Sequence, residues 1–311
     1  MKIYASPLPE LLFRAAETHR AAFDPTEIQP AALLSVKTGK CPEDCKYCAQ
    51  SFRYDSNTEA TPLMGADEVR KAAKAAKQAG AARFCMGAGW RGLKDVDVPR
   101  VAALIRVVKE EGLESCVTLG LANAAQLSEL KEAGLDYYNH NIDTSPEHYA
   151  NVITTRSFDD RLQTLAAIRD AGIKTCCGGI VGMGETRTDR ASFLATLANL
   201  PEPPESVPIN RLMPMKGTPL EHAEPLDDIE LVRTVATARV LMPRSYVRLS
   251  AGRETMSETL QAMCFLAGAN SIFYGETLLT AGNPSVDKDK AMLDKFGMRF
   301  GSGAQLSASA A

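Results

Sequence analysis

Five glycines, Gly80, Gly112, Gly134, Gly172 and Gly268, each close a helix-like stretch, and a strand-like run follows within a few residues. Glycine suits the left-handed turn that ends a helix. The runs that follow are RFCMGAG, ESCVTLG, DYYNHNID, KTCCGGIVG and NSIFYG, separated by helical segments such as ADEVRKAAKAAKQA and DDRLQTLAAIRDA. Strands that alternate with helices imply a parallel sheet. LLSVKTG (33–39), SVPINRLMP (206–214) and SYVRLSAGR (245–253) bring the strand candidates to eight. Eight βα units predict an α/β fold of the (β/α)8 TIM-type barrel, with an open doubly wound sheet as the alternative. The 311 residues, 45% hydrophobic, can fill such a core, since barrels of roughly 250 residues fold as one domain. Residues 1–30 read as an N-terminal helical extension and 31–300 as the barrel. The small, polar tail 301–311 is expected to be disordered. No linker divides the chain.

Several functional classes are set aside by charge and hydropathy. The net charge is −3 with both signs spread along the chain, so neither nucleic acid nor a membrane is expected as a partner. No apolar run reaches the roughly 18 residues that span a bilayer. Glu10 and Glu17 interrupt the N-terminal apolar pattern, which reads as an amphipathic helix of a cytoplasmic protein rather than a signal peptide. The eight cysteines are Cys41, Cys45, Cys48, Cys85, Cys116, Cys176, Cys177 and Cys264. In a cytosolic chain of this size, clustered cysteines point to metal or redox chemistry rather than disulfides.

The first cluster follows the first strand, in KTGKCPEDCKYCAQS, where Cys41, Cys45 and Cys48 are spaced C-x3-C-x2-C. Three thiolates in a short loop can hold three irons of a [4Fe–4S] cluster and leave the fourth open to a small molecule. A zinc site is the alternative, although structural zinc wants four ligands and no second closely spaced set follows. Unligated thiols are the third reading.

Side chains alternate along a strand, and in a barrel one face points inward. That parity groups Tyr137, Asn139, Asn141 and Asp143, pairs Cys116 with Thr118, groups Pro208, Asn210 and Leu212, and pairs Arg248 with Ser250. With Val247 and Leu249 facing the helices, Arg248 falls inside the barrel. Cys85 and Cys176 lie within their own strands. This interior is polar, whereas most barrels fill it with branched apolar side chains. A buried arginine needs compensation. Either Arg248 pairs with Asp143 or a similar acid among scattered core cysteines, or Cys85, Cys116 and Cys176 form a second metal site whose negative charge it balances. The stretch GGIVGMGE has the wrong spacing for a dinucleotide loop. It fits G-x-I-x-G-x-x-E through Gly178, Ile180, Gly182 and Glu185, and a tight strand-to-helix turn explains it equally well.

The C-x3-C-x2-C spacing, with Tyr47 before its last cysteine, resembles the signature of the radical S-adenosylmethionine superfamily. Over roughly residues 10–295 the sequence further resembles the biotin synthase family, through RFCMGAGW, VTLG, GLDYYNHNIDTSPEHY, GGIVGMGET, ESVPIN, KGTPL, YVRLSAGRE and AMCFLAGANSIFYGE. The resemblance implies a sulfurtransferase acting on dethiobiotin. It implies a [4Fe–4S] cluster on Cys41, Cys45 and Cys48, with S-adenosylmethionine chelating the open iron and yielding a 5′-deoxyadenosyl radical on reduction. It implies a [2Fe–2S] cluster on Cys85, Cys116, Cys176 and Arg248, whose sulfide is the sulfur source. By the same resemblance Tyr47 borders the cofactor, Asp143 bonds its ribose, Arg161 meets its carboxylate, and Gly178, Ile180 and Gly182 pack against adenine. Asn139, Asn141 and Asn210 face the ureido ring of the substrate, or serve only as structural amides. GAGW (87–90) holds the methionine amine, and Gly89 is a small departure from the family. Cys177 is another, where the family has a small residue; its side chain is expected to point away from that of Cys176. Cys264 reads as core and His140 as a structural histidine. The implied partners are a reduced flavodoxin- or ferredoxin-type electron donor, iron–sulfur assembly machinery and a second copy in a homodimer.

Overall fold

The computed structural model describes residues 1–301, so the predicted disordered tail lies outside the described residues apart from Gly301. Along the chain run α1 (Leu8–Ala22), β1 (Glu27–Lys37), α2 (Ala66–Ala79), β2 (Arg83–Ala88), α3 (Val98–Glu110), β3 (Glu114–Thr118), α4 (Ala124–Glu132) and β4 (Tyr137–Asn139). Then follow α5 (Pro146–Val152), α6 (Phe158–Asp170), β5 (Lys174–Cys176), β6 (Gly179–Val181), α7 (Arg187–Ala198) and β7 (Ser206–Arg211). The order ends with α8 (Asp228–Leu241), β8 (Tyr246–Leu249), α9 (Glu258–Leu266), β9 (Ser271–Phe273), α10 (Val286–Phe296) and β10 (Arg299–Phe300).

The barrel strands pair in parallel from β1 to β9, and β9 closes the circle on β1 with Gln29 opposite Ser271. This is the closed (β/α)8 barrel, not the open sheet. The five helix-ending glycines all take positive φ, from 65° at Gly172 to 103° at Gly80, the conformation in which a Cβ would clash. Helix starts are equally local. Asn123, Ser145, Ser157, Thr186 and Ser257 each accept a hydrogen bond from a backbone N–H of the first turn, satisfying a donor the helix itself cannot.

Two boundaries differ from the sequence reading. The first strand begins at Glu27 rather than at Leu33, because its opening residues pair with β9 and β10. The run KTCCGGIVG is not one strand. Its pairing breaks at Cys177 and Gly178, leaving β5 beside β4 and β7, and β6 beside β7. The Gly178 carbonyl there accepts from the N–H groups of Ile142 and Asp143 at 3.1 and 3.3 Å, and Ile180 N–H donates to the Asp143 carbonyl at 2.8 Å, so the segment after β4 stays joined to the fifth strand across the break.

The main apolar core lies between the sheet and the helices, with Val117, Leu119, Ile105, Val207 and Leu249 among its buried members. Inside the barrel is a separate small cluster of Cys85, Cys116, Tyr137 and Cys176. Helix α1 packs on α8 and α9 through its buried face, Leu11, Ala15 and His19. Among the described residues no helix is long and apolar enough to cross a membrane.

Candidate functional site

A cavity of about 310 Å³ runs from the C-terminal mouth of the barrel to its middle. Cys41, Cys45 and Cys48 line its upper wall, and Cys85, Cys116 and Arg248 lie at its floor. The upper loop is tied in place by its backbone. Cys41 N–H donates to the Gln50 carbonyl, and Phe52 N–H to the Cys41 carbonyl, both at 2.9 Å. Asp44 accepts from the N–H groups of Thr154 and Thr155 at 2.9 and 3.1 Å. Burial pushes the Cys45 thiol up to about 12 and the Cys48 thiol up to about 11, and raises Cys41 as well. Such thiols stay protonated until a metal displaces the proton.

At the floor, Cys85, Cys116 and Cys176 lie in one buried cluster. Mutual hydrogen bonding of the thiols first, with Arg248 and Arg83 assisting against burial, holds Cys85 and Cys176 below the ordinary thiol range and pushes Cys116 well above it. Arg248 is wholly buried. Its Nε donates to Ser271 Oγ at 3.0 Å, its Nη1 lies 4.0 Å from Cys176 Sγ, and its Nη2 has no partner. No Arg248–Asp143 ion pair forms, because Asp143 pairs with Arg161 instead. A guanidinium with an orphaned N–H beside three thiols is costly alone and suits a negatively charged group among them. Among the described residues no three His, Cys, Asp or Glu side chains converge as a single metal ion would require. An iron–sulfur cluster spreads its thiolate ligands over more than one iron, so they need not all converge on one point.

Between these two sets sit the remaining sequence-predicted residues. Asp143, at φ 67°, is buried and paired with Arg161, whose Nε donates to Tyr149 Oη at 3.0 Å. The Asn139 amide donates to Cys176 Sγ at 3.1 Å. Asn141 Oδ1 accepts from Gly178 N–H at 3.0 Å. The Asn210 amide bridges the Gly179 carbonyl and Ala251 N–H at 2.9 and 3.1 Å. Asn141 and Asn210 therefore hold backbone as well as facing the cavity. Tyr47 and Ile180 line it, and Gly182 turns away at φ 98°. Glu185 accepts from the N–H groups of Gly182 and Met183 at 2.8 and 2.6 Å, fixing that turn. A Cβ on Gly178 would lie 1.9 Å from the Pro208 carbonyl oxygen, so only glycine fits. Gly89 faces Gln50, and a Cβ there would meet Gln50 Oε1 at 2.5 Å.

Cys177 turns out of the barrel into the main core, where burial raises its thiol, and Cys264 joins the same core. His140 is buried, and desolvation with Arg161 and Arg156 nearby holds it well below the usual imidazole range, hence neutral. Arg156 escaped sequence reading. It lines the cavity with its Nε ion-paired to Glu43 Oε2 at 3.7 Å, its Nη1 without a hydrogen-bond partner and its Nη2 4.0 Å from Cys45 Sγ. It stands on a loop, where no periodicity marks its direction.

Comparison with known proteins fits this arrangement. The radical SAM superfamily model matches residues 35–197, and the Biotin and Thiamin Synthesis associated domain matches 208–299. A methylornithine synthase (PylB) structure superposes with TM-score 0.79 at 19% identity, over 94% of this chain and 89% of that one. HydG, the FeFe-hydrogenase maturase of Carboxydothermus hydrogenoformans, gives 0.81 at 18%, over 95% and 73%. At such identities these two establish the fold alone. Fold and cysteine loop together define a radical S-adenosylmethionine enzyme.

A biotin synthase of Alkalilimnicola ehrlichii is 60% identical over 300 residues, covering 96% of this chain and 91% of its own. One of Bordetella avium is 61% identical over 297 residues, covering 96% and 92%. The chain belongs to the biotin synthase family. It is a sulfur-inserting enzyme that works with a [4Fe–4S] cluster, S-adenosylmethionine and a [2Fe–2S] cluster.

Proposed function

We propose that this enzyme converts dethiobiotin to biotin inside the barrel. The observation that carries the reading is that one cavity is bordered by Cys41, Cys45 and Cys48 at one end and by Cys85, Cys116 and Arg248 at the other, with Cys176 in the same buried cluster as Cys85 and Cys116. When bound, the [4Fe–4S] cluster with S-adenosylmethionine supplies a 5′-deoxyadenosyl radical, and the [2Fe–2S] cluster supplies sulfur.

The chain's own residues hold and orient. Cys41, Cys45 and Cys48 take the first cluster, and Cys85, Cys116, Cys176 and Arg248 the second. Asp143 offers carboxylate oxygens to the ribose and Arg161 a cation to the cofactor carboxylate. Tyr47, Gly178, Ile180 and Gly182 frame its adenosine. Asn139, Asn141 and Asn210 present amides, which donate and accept, to a cyclic urea. Leu33, Pro208, Phe273 and the 278–281 loop give the cavity apolar walls, which exclude water from reactive species. Fixed positioning between the two cysteine sets is the protein's main contribution.

The chain is further proposed to act as one barrel domain over 31–300 behind the 1–30 extension. It would work as a cytoplasmic homodimer, reduced by a flavodoxin- or ferredoxin-type donor and loaded by iron–sulfur assembly proteins. Eight free cysteines suit a reducing compartment. Exposed Lys40, Arg53 and Arg91 around the upper loop suit an acidic donor.

The test is a strictly anaerobic incubation of reconstituted protein with S-adenosylmethionine, a low-potential reductant and dethiobiotin, read by mass spectrometry. Biotin with 5′-deoxyadenosine, the biotin lost in Cys85→Ala, is the expected result. Deoxyadenosine without biotin, from protein holding both clusters, would leave the superfamily standing and remove the substrate.

A further inference from the structure

Two residues before Cys85 on β2 stands Arg83, so its side chain enters the barrel on the same face, one step nearer the N-terminal end. It is wholly buried and does not line the cavity. Its Nε and Nη2 both donate to Glu114 Oε2, at 3.1 and 3.0 Å. Its guanidinium carbon lies 3.4 Å from the centre of the Tyr137 ring. Its Nη1 has no partner. Tyr137 shares one buried cluster with Cys85, Cys116 and Cys176, so the Arg83 guanidinium stacked on its ring lies against that cluster.

The two ends of this ion pair are unequally solvated. Arg83 has no exposed surface, whereas the Glu114 side chain is 27% exposed. Water screens the carboxylate more than the guanidinium, so the field left at the three cysteines is positive. A [2Fe–2S] cluster on three thiolates is net negative, and one-electron reduction makes it more so. Net charge and nearby hydrogen-bond donors are what set the potential of such a cluster.

We infer that Arg83 is a second buried cation beneath the cluster held by Cys85, Cys116 and Cys176. Without ligating iron, its charge sets how firmly that cluster is kept and how easily it takes an electron. This rests on the proposed ligand set. Arg83 is a positioning residue, acting through the field it places under the cysteines and through the Tyr137 ring that it holds against them.

The test compares anaerobically reconstituted wild type with Arg83→Met, Arg83→Lys and Glu114→Gln, without turnover. The readouts are iron and sulfide content, visible absorption and the midpoint potential of the [2Fe–2S] cluster in a dye-mediated titration. Arg83→Met should shift the midpoint to more negative potential and lose the cluster faster under reductant. Arg83→Lys, which keeps the charge, should recover most of the shift. Glu114→Gln should move the midpoint the opposite way. Equal shifts in the Met and Lys variants would overturn the charge argument, as would a wild-type potential in Arg83→Met. If Arg83→Met does not fold, Glu114→Gln decides alone, and an unmoved midpoint overturns the inference. A wild type holding no [2Fe–2S] cluster would instead remove the ligand set beneath it.

Discussion

Cys176 and Cys177 adjoin in sequence and face opposite ways, one into the barrel with Cys85 and Cys116, the other into the outer core. Cys176→Ala should abolish the [2Fe–2S] absorption and its sulfide. Cys177→Ala should leave both intact and cost about 1 kcal/mol in denaturant unfolding, the usual scale for a small core change. Asp143 poses a different question, since it carries both a left-handed backbone and a buried charge. Asn tolerates that backbone, so Asp143→Asn isolates the charge. Arg161 is then left unpaired, and the protein should lose about 3 kcal/mol of stability. Cofactor affinity, followed by titration calorimetry, should weaken about tenfold, the equivalent of 1.4 kcal/mol. Strand parity made Cys85, Cys116 and Arg248 legible as an inward set, because alternation needs no partner to be read. It did not reveal that Asp143 pairs with Arg161 rather than Arg248. That choice depends on the first turns of α6, which carry Arg161, being brought up to the end of β4, which no spacing records.

Among the elements, the broken fifth strand and the first helix carry the clearest consequences. Gly178 sits at the break, where an added Cβ would strike the backbone of β7 at Pro208. That strand is paired on both sides and cannot retreat. Gly178→Ala should therefore cost about 3 kcal/mol or more, seen as lost soluble yield or a lowered Tm. Helix α1 buries His19, with burial first and then Arg239 and Arg20 holding its imidazole at about 3. In the unfolded chain an imidazole titrates near 6.5. As pH falls below that value the unfolded state takes up a proton that the folded state refuses until about 3. Stability is therefore lost across this window, about 2 kcal/mol by pH 5. Urea unfolding at pH 7 and pH 5 should show a smaller gap in His19→Leu than in wild type. An unchanged gap would remove His19 as the cause. The amphipathic character of α1 was plain from its sequence, but its docking onto α8 and α9 was not, since any apolar stripe would have fitted a helix at that position.

Across the whole molecule, the cysteines and arginine proposed as cluster ligands come from the loop after β1 and from β2, β3, β5 and β8. Groups bound there tie distant parts of the chain together and are held only by the folded state. Reconstituted protein should therefore melt about 5 °C or more above iron-stripped protein. Equal melting temperatures, with both clusters shown present, would mean that the barrel needs no help from them.

The sequence by itself determined the alternation of strands and helices, the glycine stops, the inward face of most strands and the cysteine loop. Each rests on interactions within a few residues, or on a period of two or 3.6, and so is written locally. Only the tertiary structure decided where the fifth strand breaks, which acid meets Arg161, and that Arg83 and Arg156 stand beside cysteines, each with its Nη1 left without a hydrogen-bond partner. Those outcomes depend on closing the barrel, which brings β9 onto β1 and sets buried charges against neighbours far away in the chain.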